Sequence, residues 1–155
     1  MLDRNTILAL IPHQGSMCLL DRILDWSEAR IRLATATHRS PDNPLRSGGQ
    51  LRAVHLCEYG AQAMAVHGGL SAARAVAPRV LVSVRHVQLH VGRVDPLEGE
   101  LLVEAVRLMD GGSSWQYAFR VLHDERLLAE GRAAVMARSA SSASSGGGDA
   151  PRLDD

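Results

Sequence analysis

The stretch HLCEYGAQAMAVHGG, residues 55 to 69, sets one carboxylate, Glu58, in a run otherwise dominated by Ala, Leu, Met and Val. A carboxyl group held among apolar side chains keeps its proton more readily than one in water, because burial penalises the charged form. Such a group is suited to delivering a proton near neutral pH. Its natural counterpart is an imidazole, which titrates closest to neutrality. Of the seven histidines, His55 precedes Glu58 by three residues and so shares a helix face with it. His13 stands in the loop PHQG, and His38 ends a strand just before another loop. Each has a plainer role open to it: His13 as a hydrogen-bonding anchor of its loop, and His55 as a structural partner of Glu58. Glu58 itself could be a buried carboxylate satisfied by Gln62, Tyr59 or the backbone. His67 reads as helix-end chemistry, and His86, His90 and His123 as strand or turn surface.

The helix that must carry Glu58 is delimited by small residues. Ser47 followed by Gln50 matches the S-x-x-Q capping box, which predicts a start at Gly48 and Gly49, and Gly68 and Gly69 supply a stop. At about 20 residues it would be about 30 Å long, enough to cross a small domain. Steps of 100° put Leu51, Val54, Glu58, Ala61 and Ala65 on one stripe, with His55 and Gln62 along its edge. Leu56, Cys57, Ala63 and Met64 cover much of the rest. A helix apolar nearly all round predicts burial, with Glu58 facing the interior or a cleft. Its first turn, at Gly48 and Gly49, would offer unbonded N–H groups and the positive end of the dipole to a ligand carbonyl. Glycines there let that ligand approach the backbone closely. Gly48, Gly49, His55 and Gln62 are therefore the candidate substrate contacts.

Around this helix the remaining pattern is mostly strand. DRNTILALIPHQG predicts a short helix capped by Asp3 or Asn5 and ended by Pro12. RIRLATATHR alternates as a strand, and SPDNPLRSGG is loop. PRVLVSVRHVQLHVGRV alternates at Val80, Val82 and Val84, then shifts phase, which predicts a bulge near Arg85 and His86. ELLVEAVRLMD, SSWQYAFRVLHD and RLLAEGRAAVMAR give three further strands joined by hairpin turns at DGGSS and HDER. From Ser139 the chain has almost nothing to bury, so residues 139–155 are expected to be a disordered tail on a 1–138 domain. The fold expected is α+β: one antiparallel sheet curling around one apolar helix. Its edges call for pairing across a dimer.

Composition removes several other functions. A chain of 155 residues with 46% hydrophobic content can bury one core, and its 17 basic residues balance 17 acidic ones. No basic cluster marks a nucleic-acid footprint. Cys18 and Cys57 lack CxxC or Cys/His ligand spacing, and no P-loop or GxSxG elbow occurs, so metal, nucleotide and serine-hydrolase chemistry are not expected. The longest apolar stretches fall short of the roughly 20 residues of a membrane span. Nothing at the N-terminus has the pattern of a signal peptide, and the expectation is a reduced, cytoplasmic protein.

The stretch ILALIPHQGSMCLLDRILDW, the NPL of Asn43 to Leu45, and EYGAQAM resemble the hot-dog fold 3-hydroxyacyl-(acyl carrier protein) dehydratases, and more closely a divergent branch associated with aryl-polyene pigment pathways. The likeness runs in order from about Asn5 to Arg138. It implies removal of water from a 3-hydroxyacyl thioester to give a trans-2-enoyl thioester, with acyl carrier protein and a homodimeric or heterodimeric hot-dog partner. In that family the acidic residue of the central helix lies just before an AMAQ-like run, a position filled here by Glu58. Typical members also carry a Gly-His-Phe-Pro stretch whose His is the base, and PLRSGGQLRAVHLCE lacks it. His13 matches the family's N-terminal PHR-like motif and becomes the first candidate for the base, ahead of His55 and His38. The rival expectations are an acyl thioesterase, whose helix carboxylate activates water without a His, and a non-catalytic partner of a standard dehydratase.

Overall fold

The computed structural model describes residues 1–72 and 79–137, with the backbone alone described at 79–82 and 137. The expected tail lies outside the described residues. Helix α1 (Arg4–Leu10) begins at Asp3, whose side chain accepts from the Thr6 N–H at 3.1 Å, and it ends before Pro12 as expected. Strands β1 (Arg22–Trp26) and β2 (Arg30–Thr35) precede the long helix α2 (Leu56–Ser71), which is entered through a 3-10 turn at Ala53–His55. Strands β3 (Arg79–Leu89), β4 (Leu101–Asp110), β5 (Ser114–His123) and β6 (Arg126–Ala137) follow. All pair antiparallel in one six-stranded sheet of order β1-β2-β4-β5-β6-β3.

Alternation decides which side of each strand meets α2. Trp115, Tyr117, Phe119 and Val121 of β5 and Leu101, Val103 and Ala105 of β4 point inward and are buried, while the residues between them face out. The β5–β6 hairpin turns on Asp124 (φ 47°) and Glu125 (φ 68°), the pair of left-handed residues that a two-residue turn of right-handed twist requires. β3 carries the expected bulge: its pairing with β6 shifts between Arg85 and Gln88, where His86 takes φ 54°. The expected α+β hot-dog architecture is present, an antiparallel sheet around a central helix.

Two sheet edges result, and they differ. The β1 edge is partly closed by Leu2, which exchanges backbone hydrogen bonds with Ile23 at 2.8 and 3.1 Å. The β3 edge has no partner among the described residues. Beside it, Val84 and Leu89 lie opposite the buried Ala133 and Ala129, so they point to the core side of the sheet, yet they stay 37% and 43% exposed. Thus α2 covers the middle of the sheet and leaves the inner face of β3 partly uncovered at Val84 and Leu89. No helix among the described residues is long and apolar enough to cross a membrane.

Candidate active site

The start of α2 differs from the sequence expectation. Ser47 and Gln50 do not form a capping box; they close a tight turn, with Ser47 N–H donating to Gln50 O at 2.9 Å and Gln50 N–H to Ser47 O at 3.0 Å. Gly48 (φ 58°) and Gly49 (φ 75°) occupy its left-handed corner, a conformation incompatible with a first helical turn. The helix begins several residues later, so Gly48 and Gly49 do not present its positive end. Gly68 and Gly69 lie inside α2, which runs on to Ser71.

What holds the true start is the chain that leaves β3. Ala53 N–H donates to Gly92 O (3.1 Å) and Val94 N–H to Leu51 O (2.9 Å). Asp95 accepts from Leu51 N–H (3.0 Å) and is ion-paired with Arg93, whose guanidinium is the main cause that holds the Asp95 carboxyl well below the usual carboxylate range. The N-terminal turn of α2 is thereby fastened next to the end of the open-edge strand.

Glu58 stands in the first turn of α2, and it is exposed. This corrects the expectation of burial. The stripe Val54, Glu58, Ala61 and Ala65 does lie on one face, but it is the face the sheet leaves uncovered: Val54 is 51% exposed, and Ala61 and Ala65 are half-buried. The buried face is built from Leu56, Tyr59, Gly60, Ala63, Met64 and His67. Leu51 is buried in the segment before the helix and does not share the stripe. Among the described residues Glu58 makes no hydrogen bond or ion pair, so neither His55 nor His13 is joined to it within the chain.

The other candidates are placed as follows. His13 is half-buried in the loop after α1, and its Nδ1 is shielded from solvent without a hydrogen-bond partner among the described residues. His55 is half-buried at the N-cap of α2, where its side chain makes no capping bond. Gln62 is buried and fully engaged: its Oε1 accepts from Leu19 N–H and its Nε2 donates to Met17 O, both at 2.8 Å. Its amide ties α2 to the 17–19 loop and has no free end for a substrate. Cys57 is half-buried beside Glu58, and burial, reinforced by the Glu58 charge, pushes its thiol up. His67 is buried within α2 and contacts the Tyr117 hydroxyl (2.7 Å) and Ser27 O (2.8 Å).

His38 is fully buried, which the sequence did not indicate. Its Nε2 lies 2.8 Å from Leu97 O, a contact that makes Nε2 the protonated nitrogen, while Nδ1 has no partner among the described residues. Burial pushes the imidazole below its usual value, against the pull of the Leu97 carbonyl, and the nearby positive groups His123, Arg39 and Arg46 act in the same direction. The sign follows from linkage. The unfolded chain takes up a proton at His38 below about pH 6.5 and the folded chain resists it, so stability present above that pH declines as pH falls. The melting temperature is expected to drop between about pH 7.5 and 5, with a shallower slope in His38→Gln, as thermal denaturation across that range would register.

A network missing from the sequence reading fixes the rotation of α2. The Tyr59 hydroxyl, fully buried, meets Thr37 Oγ1 at 2.9 Å and accepts from Asn43 Nδ2 at 3.0 Å. Thr37 and Thr35 hydroxyls both donate to Leu19 O. With Tyr59 and Gln62 clamped inward, the residue before Tyr59 must point outward. The signal was present in NPL and in Tyr59 itself, but only as residue types that suit many loops and cores.

Comparison with known proteins agrees with this architecture. No curated protein matches the chain. Among solved structures, the dehydratase heterocomplex ApeI:P from Xenorhabdus doucetiae superposes with TM-score 0.78 at 19% identity, over 87% of this chain and 92% of that one. A thioesterase from Haemophilus influenzae gives 0.56 at 13% identity, over 76% and 78%. A hypothetical thioesterase with coenzyme A from Streptococcus pneumoniae gives 0.57 at 11%, over 76% and 85%. At these identities the structures establish the hot-dog fold. The sequence model described as ApeP dehydratase, by contrast, extends over residues 5–145 and so takes in α1, the NPL loop, all of α2 and the whole sheet; the chain belongs to the ApeP-like dehydratase family.

Proposed function

We propose that the chain dehydrates 3-hydroxyacyl thioesters on acyl carrier protein to trans-2-enoyl thioesters, in aryl-polyene or related fatty-acid synthesis in the cytoplasm, and that it does so only when paired with a second hot-dog subunit. The observation that carries this reading is the place of Glu58. It lies on the bare stripe of α2, at the helix end fastened beside the unpaired β3 edge, with the exposed inner faces of Val84 and Leu89 close to that edge. A carboxyl in open water is ionised at neutral pH and makes a poor acid. A subunit docked along β3 would cover the stripe and the inner face together, leaving an apolar, water-poor slot with Glu58 in its wall.

The reaction needs an acid for the departing hydroxyl and a base for the C2 proton, and residues of this chain divide the two. Glu58 protonates the departing C3 hydroxyl or holds the water it becomes. His13, the histidine of the N-terminal family motif, is the first candidate to take the C2 proton, and its Nδ1 has no hydrogen-bond partner among the described residues; His55, beside the stripe, is the second. Gly48, Gly49 and Gln62 carry no step, since the two glycines form a turn and the amide is spent on the backbone.

Purified chain incubated with a 3-hydroxyacyl thioester on acyl carrier protein, with and without a hot-dog dehydratase subunit of the ApeI kind, tests this directly. Enoyl product from the pair and none from this chain alone is the expected result. Free acid as the product would make the protein a thioesterase. An enoyl rate that depends on this chain but survives loss of its Glu58 would make it a structural partner.

A further inference from the structure

The outward face of the sheet at its open edge carries positive charge that the chain does not balance. Arg85 of β3 lies directly opposite Arg132 of β6, and both are exposed. Like charges in one cross-strand pair repel. Among the described residues neither forms an ion pair, whereas elsewhere on the sheet Arg22 meets Glu100 (2.6 Å), Arg32 meets Asp25 (2.6 Å) and Arg120 meets Glu104 (3.8 Å). Glu130, the carboxylate of the same outward face, stands opposite Gln88 and Arg120. The chain has formal net charge zero, so the excess is local. His86, exposed at the bulge in a left-handed conformation, borders the patch.

Symmetry turns this excess into a choice of partner. Two copies joined by a two-fold axis would pair the same surface with itself. With β3 spanning Arg79–Leu89, antiparallel pairing over its full length sets Arg85 of one copy opposite Ser83 of the other. The two Arg85 side chains then become diagonal neighbours on the outward face, roughly 7–8 Å apart, each with its own Arg132 alongside. Four guanidinium groups would gather around the axis, and the one carboxylate that each copy sets beside them, Glu130, stands two residues farther from the axis than Arg132.

We propose that Arg85 and Arg132 select the partner: the β3 edge accepts a hot-dog subunit whose own edge strand presents acidic side chains on its outward face, and it discriminates against a second copy of this chain. This rests on the reading that a second subunit docks along β3. It adds which subunit that is by chemistry, and which residues decide.

Sedimentation velocity on the full chain, at low and high salt, tests it without the natural partner. Wild type, R85E/R132E and their equimolar mixture are compared. The mixture, in which each edge meets its opposite charge, is expected to associate at least about tenfold more tightly than either protein alone and to weaken with salt, while salt strengthens self-association of wild type. R85Q/R132Q, which removes charge without reversing it and leaves the strand pairing intact, is expected to self-associate more tightly than wild type. Wild type dimerising as tightly as the mixture, or indifferently to salt, overturns the proposal. Failure of the mixture and of R85Q/R132Q to associate also overturns it, because the arginines would then only guard the edge from pairing. Failure of the dehydratase reading is seen separately, as absence of enoyl product with any added subunit.

Discussion

Glu58→Gln, assayed with a second dehydratase subunit present, is expected to lower the rate of enoyl thioester formation by about 10²- to 10⁴-fold, the range for loss of a positioned acid. The same substitution is expected to change stability by no more than about 0.5 kcal/mol. The second expectation follows from the geometry: Glu58 is exposed, accepts no hydrogen bond and pairs with no cation among the described residues, so its amide leaves no partner stranded. A rate loss in a normally folded variant therefore reports chemistry. His13→Ala is expected to cost about 10²-fold or more if that imidazole is the base. Steady-state rates and melting curves on the same preparations check both. A near-normal rate for folded Glu58→Gln removes the carboxylate from the mechanism, and an unchanged rate for His13→Ala moves the base to His55.

The contrast between Glu58 and the strands shows what this sequence could disclose. Inward and outward residues of β4 and β5 follow from alternation because one side of those strands is in water and the other in the core. The bulge in β3 was readable because a phase shift in Val positions has few other causes. For α2 the same reasoning found the right stripe and turned it the wrong way. Val54, Ala61 and Ala65 lie on the uncovered face although they are apolar or small, and a face kept apolar for a partner, as proposed for this one, is written in the same residues as a face kept apolar for the core.

The misplaced helix start has a different cause. Ser47, two glycines and Gln50 satisfy both a capping box and a tight turn, and only backbone dihedrals separate the two. Likewise Gln62 was rightly placed at the edge of the stripe, but its engagement with Met17 and Leu19 depends on where a distant loop folds back. His38 lies just past the end of β2, in a 3-10 turn, and the Leu97 carbonyl that meets its ring comes from far along the chain. These are long-range facts, and local pattern does not encode them.

Gly60→Ala is expected to destabilise the protein by about 1–3 kcal/mol, the usual cost of overpacking a filled core. A Cβ at Gly60 would lie 2.7 Å from both Cδ2 and Cγ of Phe119, closer than carbon atoms approach. The ring cannot retreat, because on its far side it already fills the space above Gly131, where a Cβ would sit 2.8 Å from Cε1. Two missing side chains, one on α2 and one on β6, thus form a slot for one phenyl group, which is 1% exposed. Emptying the slot is costlier: Phe119→Ala should lose about 3–5 kcal/mol. If steric exclusion is the cause, the two changes must be non-additive, with Gly60→Ala nearly free of cost once Phe119 is reduced to Ala. Urea denaturation of both single variants and the double variant measures this coupling, and simple additivity would show that the slot is not what makes glycine necessary. The consequence extends to the site, because Gly60 is two residues from Glu58. A helix lifted off the sheet by one methyl group would shift the carboxylate relative to any partner docked on β3, so Gly60→Ala should also lower the rate of the paired enzyme at temperatures where it remains folded.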